Sequence, residues 1–403
     1  MKIEEAGLKI IQDSRGKDTL ESFLKSGDGI GFFSVPSGKS AGVHEVFVLD
    51  PTVAVEKFEN IIKPEIINKE FENQKEFDDF LRALDGTENK KNLGGNLILA
   101  LSLGFARLKA KSEKKELFNY IHSITQLPDY PITKSPKPIF NVINGGAHAK
   151  NNLDFQEFQA IPTINDFRVS LGVGQEFYFK LGTALAKRFG KENVSLGDEA
   201  GFSAPFKNNE NAIEEMAELI KRYNYPLKIG LDAAASQFYR DGYYFLEGKK
   251  YFADELKEFY IRLISNYEIL SIEDPFYEED FSSFTSLTAA LVGLKKHQLA
   301  ITDDLTTTNP ERLQRAIKEK AGNAILIKPN QIGTLTETLE VIEMAYKNNW
   351  RCIVSHRSGE TNDDFIADLS VAIGAWGLKA GPPNISKKER MAKYERIIEI
   401  LSH

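Results

Sequence analysis

The feature that most constrains this chain is a rhythm in its second half. Short apolar runs alternate with helical stretches of ten or more residues: KIGLDAA (228–234), ILSIEDP (269–275), LAITDDL (299–305), AILIKPN (324–330), RCIVSHR (351–357) and GLKAG (377–381). Alternation of this kind means a parallel sheet with crossover helices. With so many units and no glycine-rich dinucleotide fingerprint, the sheet is expected to close into a barrel. The first part reads differently. LKIIQDSR (8–15), TLESFLKS (19–26) and GIGFFSVP (29–36) are separated by Gly and Asp turns, as in a small antiparallel sheet. Helical patterns follow over 51–64, 74–83 and 94–111. Pro128, Pro131, Pro136 and Pro138 then mark a linking segment.

In a β/α barrel the chemistry sits at the carboxyl ends of the strands. Here those ends carry Asp232, then Glu273 and Asp274, then Asp303 and Asp304, then Lys328, then His356 and Arg357, then Lys379. Any one of them alone could cap a helix or face solvent. The order of all six ends, acids first and bases after, implies a concave site with a negative wall facing a positive one. Converging carboxylates without Cys or His are hard oxygen ligands suited to Mg²⁺, Mn²⁺ or Ca²⁺. The basic wall suits an anionic substrate, and Arg357 can grip a phosphate through two hydrogen bonds. A lysine facing a metal cluster is a candidate base, because neighbouring cations disfavour its charged form. The residues alone therefore point to metal-assisted proton abstraction next to a carboxylate, on a phosphorylated substrate. Upstream, QEFQAIP holds Gln156 and Glu157, LGDEAGF holds Asp198 and Glu199, and the loop NGGAHAKNN holds His148. VPSGKSAG, with Ser37 and Ser40, is a small-residue loop, either a lid or a long turn.

Bulk properties exclude several classes. A length of 403 residues favours two domains. A net charge of −7 argues against nucleic acid or an anionic membrane as the main partner. No segment approaches the roughly 20 apolar residues of a membrane span. The single cysteine, Cys352, forms no internal disulfide and lies in an apolar run, as in a reducing cytoplasm.

The segments together resemble the enolase family. DSRG (13–16), VPSGKSAG (35–42), LDGTENK (84–90), NVINGGAHAKNN (141–152), QEF (156–158), GDEAGF (197–202), SIEDPF (271–276), DDLTTTNP (303–310), LIKPNQIGT (326–334) and SHRSGETNDDFIADL (355–369) come in that family's order and cover nearly the whole chain. The resemblance implies an α/β protein: a small α+β domain over 1–125, a linker over 126–136, and a TIM-like β/α barrel over 137–403. That barrel is expected to begin irregularly, with two strands and two helices. The resemblance also implies dehydration of 2-phosphoglycerate to phosphoenolpyruvate in a cytoplasmic homodimer using two Mg²⁺ ions. Asp232, Glu273 and Asp303 match the ligands of the first ion and Ser40 a ligand of the second. Lys328 matches the base at carbon 2. Glu199, with Glu157, matches the acid pair at carbon 3. Lys379 matches the contact to the substrate carboxylate, and Arg357 and Ser358 the contacts to its phosphate. His148 and His356 match active-site histidines. Departures lie at Lys17-Asp18, at Lys39 and Ala41 beside Ser40, at Gln237, and in GPPNISKKER (381–390). Acid-sugar dehydratases of the same superfamily and a non-catalytic binding protein are the alternatives. The phosphate motif SHRS and the retained site residues weigh against both.

Overall fold

The computed structural model describes residues 1–38, 43–127, 135–294 and 297–402. The chain opens with an antiparallel sheet of β1 (Glu5–Gln12), β2 (Asp18–Ser26) and β3 (Gly29–Ser34). Alternating apolar residues of β2, such as Leu20 and Leu24, face inward. Helices α1 (Pro51–Lys57), α2 (Lys63–Ile66), α3 (Gln74–Asp85), α4 (Gly95–Ser112) and α5 (Leu117–Ser123) follow. The helical pattern over 51–64 runs as α1, a π-helical turn over Phe58–Ile62, and α2 in direct succession. Pro64, which cannot supply an N–H inside a helix, stands just past that turn. Helix α4 is buried along most of its length under the sheet. A Cβ at Gly31 of β3 would lie 2.1 Å from the Gly104 carbonyl oxygen, so this close approach requires glycine.

The second unit begins with β4 (Lys137–Asn144) and β5 (Glu157–Pro162), then α6 (Phe167–Phe189). A short hairpin of β6 (Ser195–Leu196) and β7 (Phe202–Ser203) precedes α7 (Asn209–Tyr223) and β8 (Leu227–Asp232). The small meander β9 (Tyr239–Arg240), β10 (Tyr243–Leu246) and β11 (Lys249–Tyr251) leads into α8 (Ala253–Asn266). Regular alternation then runs through β12 (Ile269–Glu273), α9 (Phe281–Gly293), β13 (Leu299–Thr302), α10 (Pro310–Glu319) and β14 (Ala324–Ile327). It continues with α11 (Pro329–Ile332), α12 (Leu335–Lys347), β15 (Arg351–Ser355), α13 (Phe365–Ala372), β16 (Gly377–Lys379) and α14 (Lys388–Ile400).

The ring order is β4, β5, β8, β12, β13, β14, β15, β16, closed by pairing of β16 with β4. All neighbours are parallel except at β5, which runs antiparallel to both β4 and β8. That reversal places the first residue of β5, Glu157, beside the last residue of β8, Asp232. Inside the barrel, Ile139, Ile161, Leu299, Ile301, Leu326 and Ile353 form a separate apolar plug. It closes the interior, as in a packed barrel. Among the described residues no helix is long and apolar enough to cross a membrane.

Candidate active site

The carboxyl-terminal mouth gathers most of the predicted residues around a cavity of about 70 Å³; Glu273 does not line it and meets it through Lys379. Strand register places three carboxylates side by side: Glu157 opposite Asp232, and Asp232 opposite Glu273. Lys379 reaches all three from β16. Its Nζ lies 2.8 Å from Glu157 Oε2, 2.9 Å from both Glu273 oxygens and 3.4 Å from Asp232 Oδ2. Burial disfavours the Lys379 ammonium, but these carboxylates hold its pKa well above the ordinary value. Burial drives Glu157 and Glu273 upward, and the Asp232 charge adds to Glu273.

The second acidic group lies one strand further. Asp274, whose φ is 40°, accepts from the backbone N–H of Asp303 at 3.0 Å and of Asp304 at 2.7 Å. Asp274, Asp303 and Asp304 are close enough to share one cation. Burial and the Asp303 charge push Asp304 up to about 7. Asp303 is ion-paired with Lys328 and accepts from Gln331 at 3.1 Å. Burial would lower the Lys328 pKa, yet Asp303 raises it overall. The expected lowering is therefore reversed in the structure, because the nearest charge is an anion rather than a cation.

Glu199 arrives on the loop between β6 and β7. Asn141 of β4 donates to its Oε2 at 2.9 Å. His148 Nδ1 is 3.7 Å and His356 Nε2 3.4 Å from its carboxylate. Burial alone would raise Glu199, but His148, His356 with its hydrogen bond, and the Arg390 charge together hold it well below the usual range. Burial pushes His356 itself down to about 4, so near neutral pH the ring is uncharged. His148 is likewise pushed down by burial. His148 also lies 4.0 Å from Glu157, and His148, Glu157 and Glu199 form a second cluster of metal-ligand types.

The positive wall is built by residues distant in sequence. Arg357 is gripped by Glu45, with Nη2–Oε1 and Nη1–Oε2 both 3.0 Å, and donates to Asn330 at 2.9 Å. Arg15 donates to the Ser358 hydroxyl at 3.1 Å. Arg390 hydrogen-bonds to His356 and donates to the carbonyls of Arg357 and Ser358, both at 2.8 Å. Ser37 exchanges backbone hydrogen bonds with Gly359, which ties the small-residue loop to SHRSGE. Ser40 of that loop lies outside the described residues. Glu45, Arg15 and Arg390 were not singled out by sequence; Arg15 lies within DSRG, Arg390 ends GPPNISKKER, and Glu45 follows VPSGKSAG closely.

The donor chemistry fits a hard divalent cation. Among the described residues, the carboxylates Glu157, Asp232, Glu273, Asp274, Asp303 and Asp304 outnumber the two lysines paired with them, Lys328 and Lys379, while Arg357 is paired with Glu45. Burial drives Glu273 and Asp304 upward, and the neighbouring charges of Asp232 and Asp303 add to it. All donors are oxygen, as Mg²⁺ or Ca²⁺ requires.

Residues 3–121 match the family model described as enolase, N-terminal domain, and residues 133–403 match enolase, C-terminal TIM barrel domain. The chain belongs to the enolase family. Curated enolases agree along its whole length. The one from Methanocaldococcus jannaschii is 41% identical over 412 aligned positions, covering 99% of this chain and 94% of that protein. The enolase of Methanosarcina barkeri is 40% identical with the same coverage. That of Methanopyrus kandleri is 41% identical, covering 97% of this chain and 93% of its own. Enolase membership makes the chain a carbon–oxygen lyase, and the reaction is dehydration of 2-phosphoglycerate.

Proposed function

We propose that this enolase works with two Mg²⁺ ions and with the following division of labour. The observation that carries the reading is that Lys328, at the end of β14, and Glu199, on the β6–β7 loop, line one cavity. Asp232, Glu273 and Asp303 would hold the first Mg²⁺ and Ser40 the second, and the ions would supply positive charge for the substrate carboxylate. Lys328 takes the proton from carbon 2. For that it must be neutral, and the Asp303 charge that now holds it protonated must be engaged elsewhere. Glu199 and Glu157 assist departure of the carbon 3 hydroxyl, with His148 orienting them at 3.7 and 4.0 Å. Lys379, at the centre of the carboxylates, contacts the substrate carboxylate and stabilises charge developing there. Arg357, Ser358 and His356 bind the phosphate side of the substrate. The protein is read as a cytoplasmic homodimer with no nucleic-acid or membrane partner. The buried Cys352, whose thiol pKa burial raises, supports a reducing compartment. The organisation into 1–125, a linker over 126–136 and 137–403 belongs to the same reading.

The test is an absorbance assay for phosphoenolpyruvate formed from 2-phosphoglycerate, with Mg²⁺ and with chelator. Formation that requires Mg²⁺ is expected. Turnover of non-phosphorylated acid sugars instead would move the chain to another branch of the superfamily.

A further inference from the structure

The opposite mouth of the barrel, where strands begin, holds a cavity of about 760 Å³. This lies within the range of small-molecule sites, roughly 300–1,000 Å³. Lys137 opens β4 and Arg351 opens β15, on either side of β16, which pairs with both. Trp376, just before β16, joins them: its carbonyl accepts from the Lys137 N–H at 3.0 Å, and its ring lies 5.7 Å from the Arg351 guanidinium. Pro136, Ile164 and Phe167 add apolar wall. Arg351 also borders an adjoining cavity of about 510 Å³.

The unusual feature is charge. Lys137 and Arg351 are both half-buried, and among the described residues neither side chain has a carboxylate partner or a hydrogen bond. Other enclosed cations are neutralised: Lys90 by Glu337, Arg107 by Asp363, Lys393 by Glu360 and Arg396 by Asp368. Burial pushes Lys137 and Arg351 down, and Arg351 adds to the effect on Lys137. Two like charges lining one cavity without a counter-ion are relieved by an anion. Apolar and aromatic walls around that charge select an anion with a flat hydrocarbon body. The apolar plug inside the barrel separates this mouth from the catalytic one.

We propose that the amino-terminal mouth is a second ligand site, for an aromatic carboxylate whose charge is held by Lys137 and Arg351 and whose ring lies against Trp376. The site is independent of the catalytic reading above, since it uses none of those residues.

The test uses 8-anilinonaphthalene-1-sulfonate as probe and N-phenyl-1-naphthylamine as its uncharged counterpart. Fluorescence titration of the full chain should show one site for the anion, at least about tenfold tighter than for the neutral probe. Benzoate should displace the anion, while saturating 2-phosphoglycerate with Mg²⁺ should not. The variant Lys137→Gln/Arg351→Gln should weaken the anion at least about tenfold, leave the neutral probe unchanged and retain turnover. Should the double variant fail to fold, Lys137→Gln alone, at a half-exposed strand start, should still weaken the anion severalfold. Equal affinity for both probes, unchanged anion binding in a folded variant, or displacement by 2-phosphoglycerate would each overturn the proposal.

Discussion

Glu45 holds Arg357 through both terminal nitrogens of the guanidinium, and the pair is almost fully enclosed. These are the same donors a phosphate would use, so Glu45 and an anionic ligand compete for one fork. Glu45→Gln removes the competing charge while keeping a similar shape. Inorganic phosphate should then bind about three- to tenfold more tightly, read by calorimetry. Unchanged affinity would mean that Arg357 does not contact phosphate. His356 supplies a second residue-scale expectation. Its folded pKa is lowered to about 4 from 6.5, so the unfolded state binds more protons between those values. Stability is thus intact above pH 6.5 and declines as pH falls toward 4, by on the order of 3 kcal/mol from this group. His356→Gln should flatten that part of a urea-midpoint profile; an unaltered slope would show that the ring is not buried neutral. The acids and the lysines of the strand ends were legible because they follow apolar runs. Glu45 was not, because nothing in EVFVLD separates a buried ion-pair partner from a solvated acid.

Helix α3 of the first unit is fastened to α12 of the barrel by the buried carboxylate of Asp78, beside an Arg82–Glu337 ion pair at 3.4 Å. Asp78 accepts from the Thr336 backbone N–H at 2.9 Å and hydroxyl at 2.6 Å, within the first turn of α12. Gln74 donates to Asp78 at 2.9 Å and to the Ser102 carbonyl at 3.0 Å, which brings in α4. Asp78→Ala leaves these donors buried without an acceptor, a loss of about 1–3 kcal/mol. The urea midpoint should fall accordingly with activity largely kept; no change would show that the contact adds nothing to the docking of the two units. At this scale the sequence was most informative where strands and helices alternate, because apolar runs of four to seven residues between longer amphipathic stretches have few other solutions. It was silent on the direction of β5. EFQAIP is buried throughout, and burial on both faces carries no sign of whether the strand runs parallel or antiparallel. The span over 51–64 was legible as helical, but periodicity alone does not show the π-helical turn over Phe58–Ile62 inside it.

The whole molecule divides labour between its two units. The barrel brings acids and bases to one mouth, and the first unit adds Glu45, Arg15 and Ser37 beside Arg357 and Ser358. Neither half holds the complete constellation. The change of rhythm along the chain made the two units legible, but a contact such as Arg15 to Ser358, 343 residues apart, has no local signature. Assembly is a further expectation at this scale: sedimentation should show a homodimer at micromolar concentration, and a monomer there would contradict it. The central claim concerns which residue removes the proton and which assists the hydroxyl. Lys328 and Glu199 reach the cavity from different elements, so their steps should separate by mutation. The most direct measurement is NMR of 2-phosphoglycerate in deuterium oxide with Mg²⁺. Glu199→Gln should form no phosphoenolpyruvate yet still exchange the carbon 2 hydrogen, whereas Lys328→Ala should do neither. Robust carbon 2 exchange by Lys328→Ala would contradict the assignment of the base.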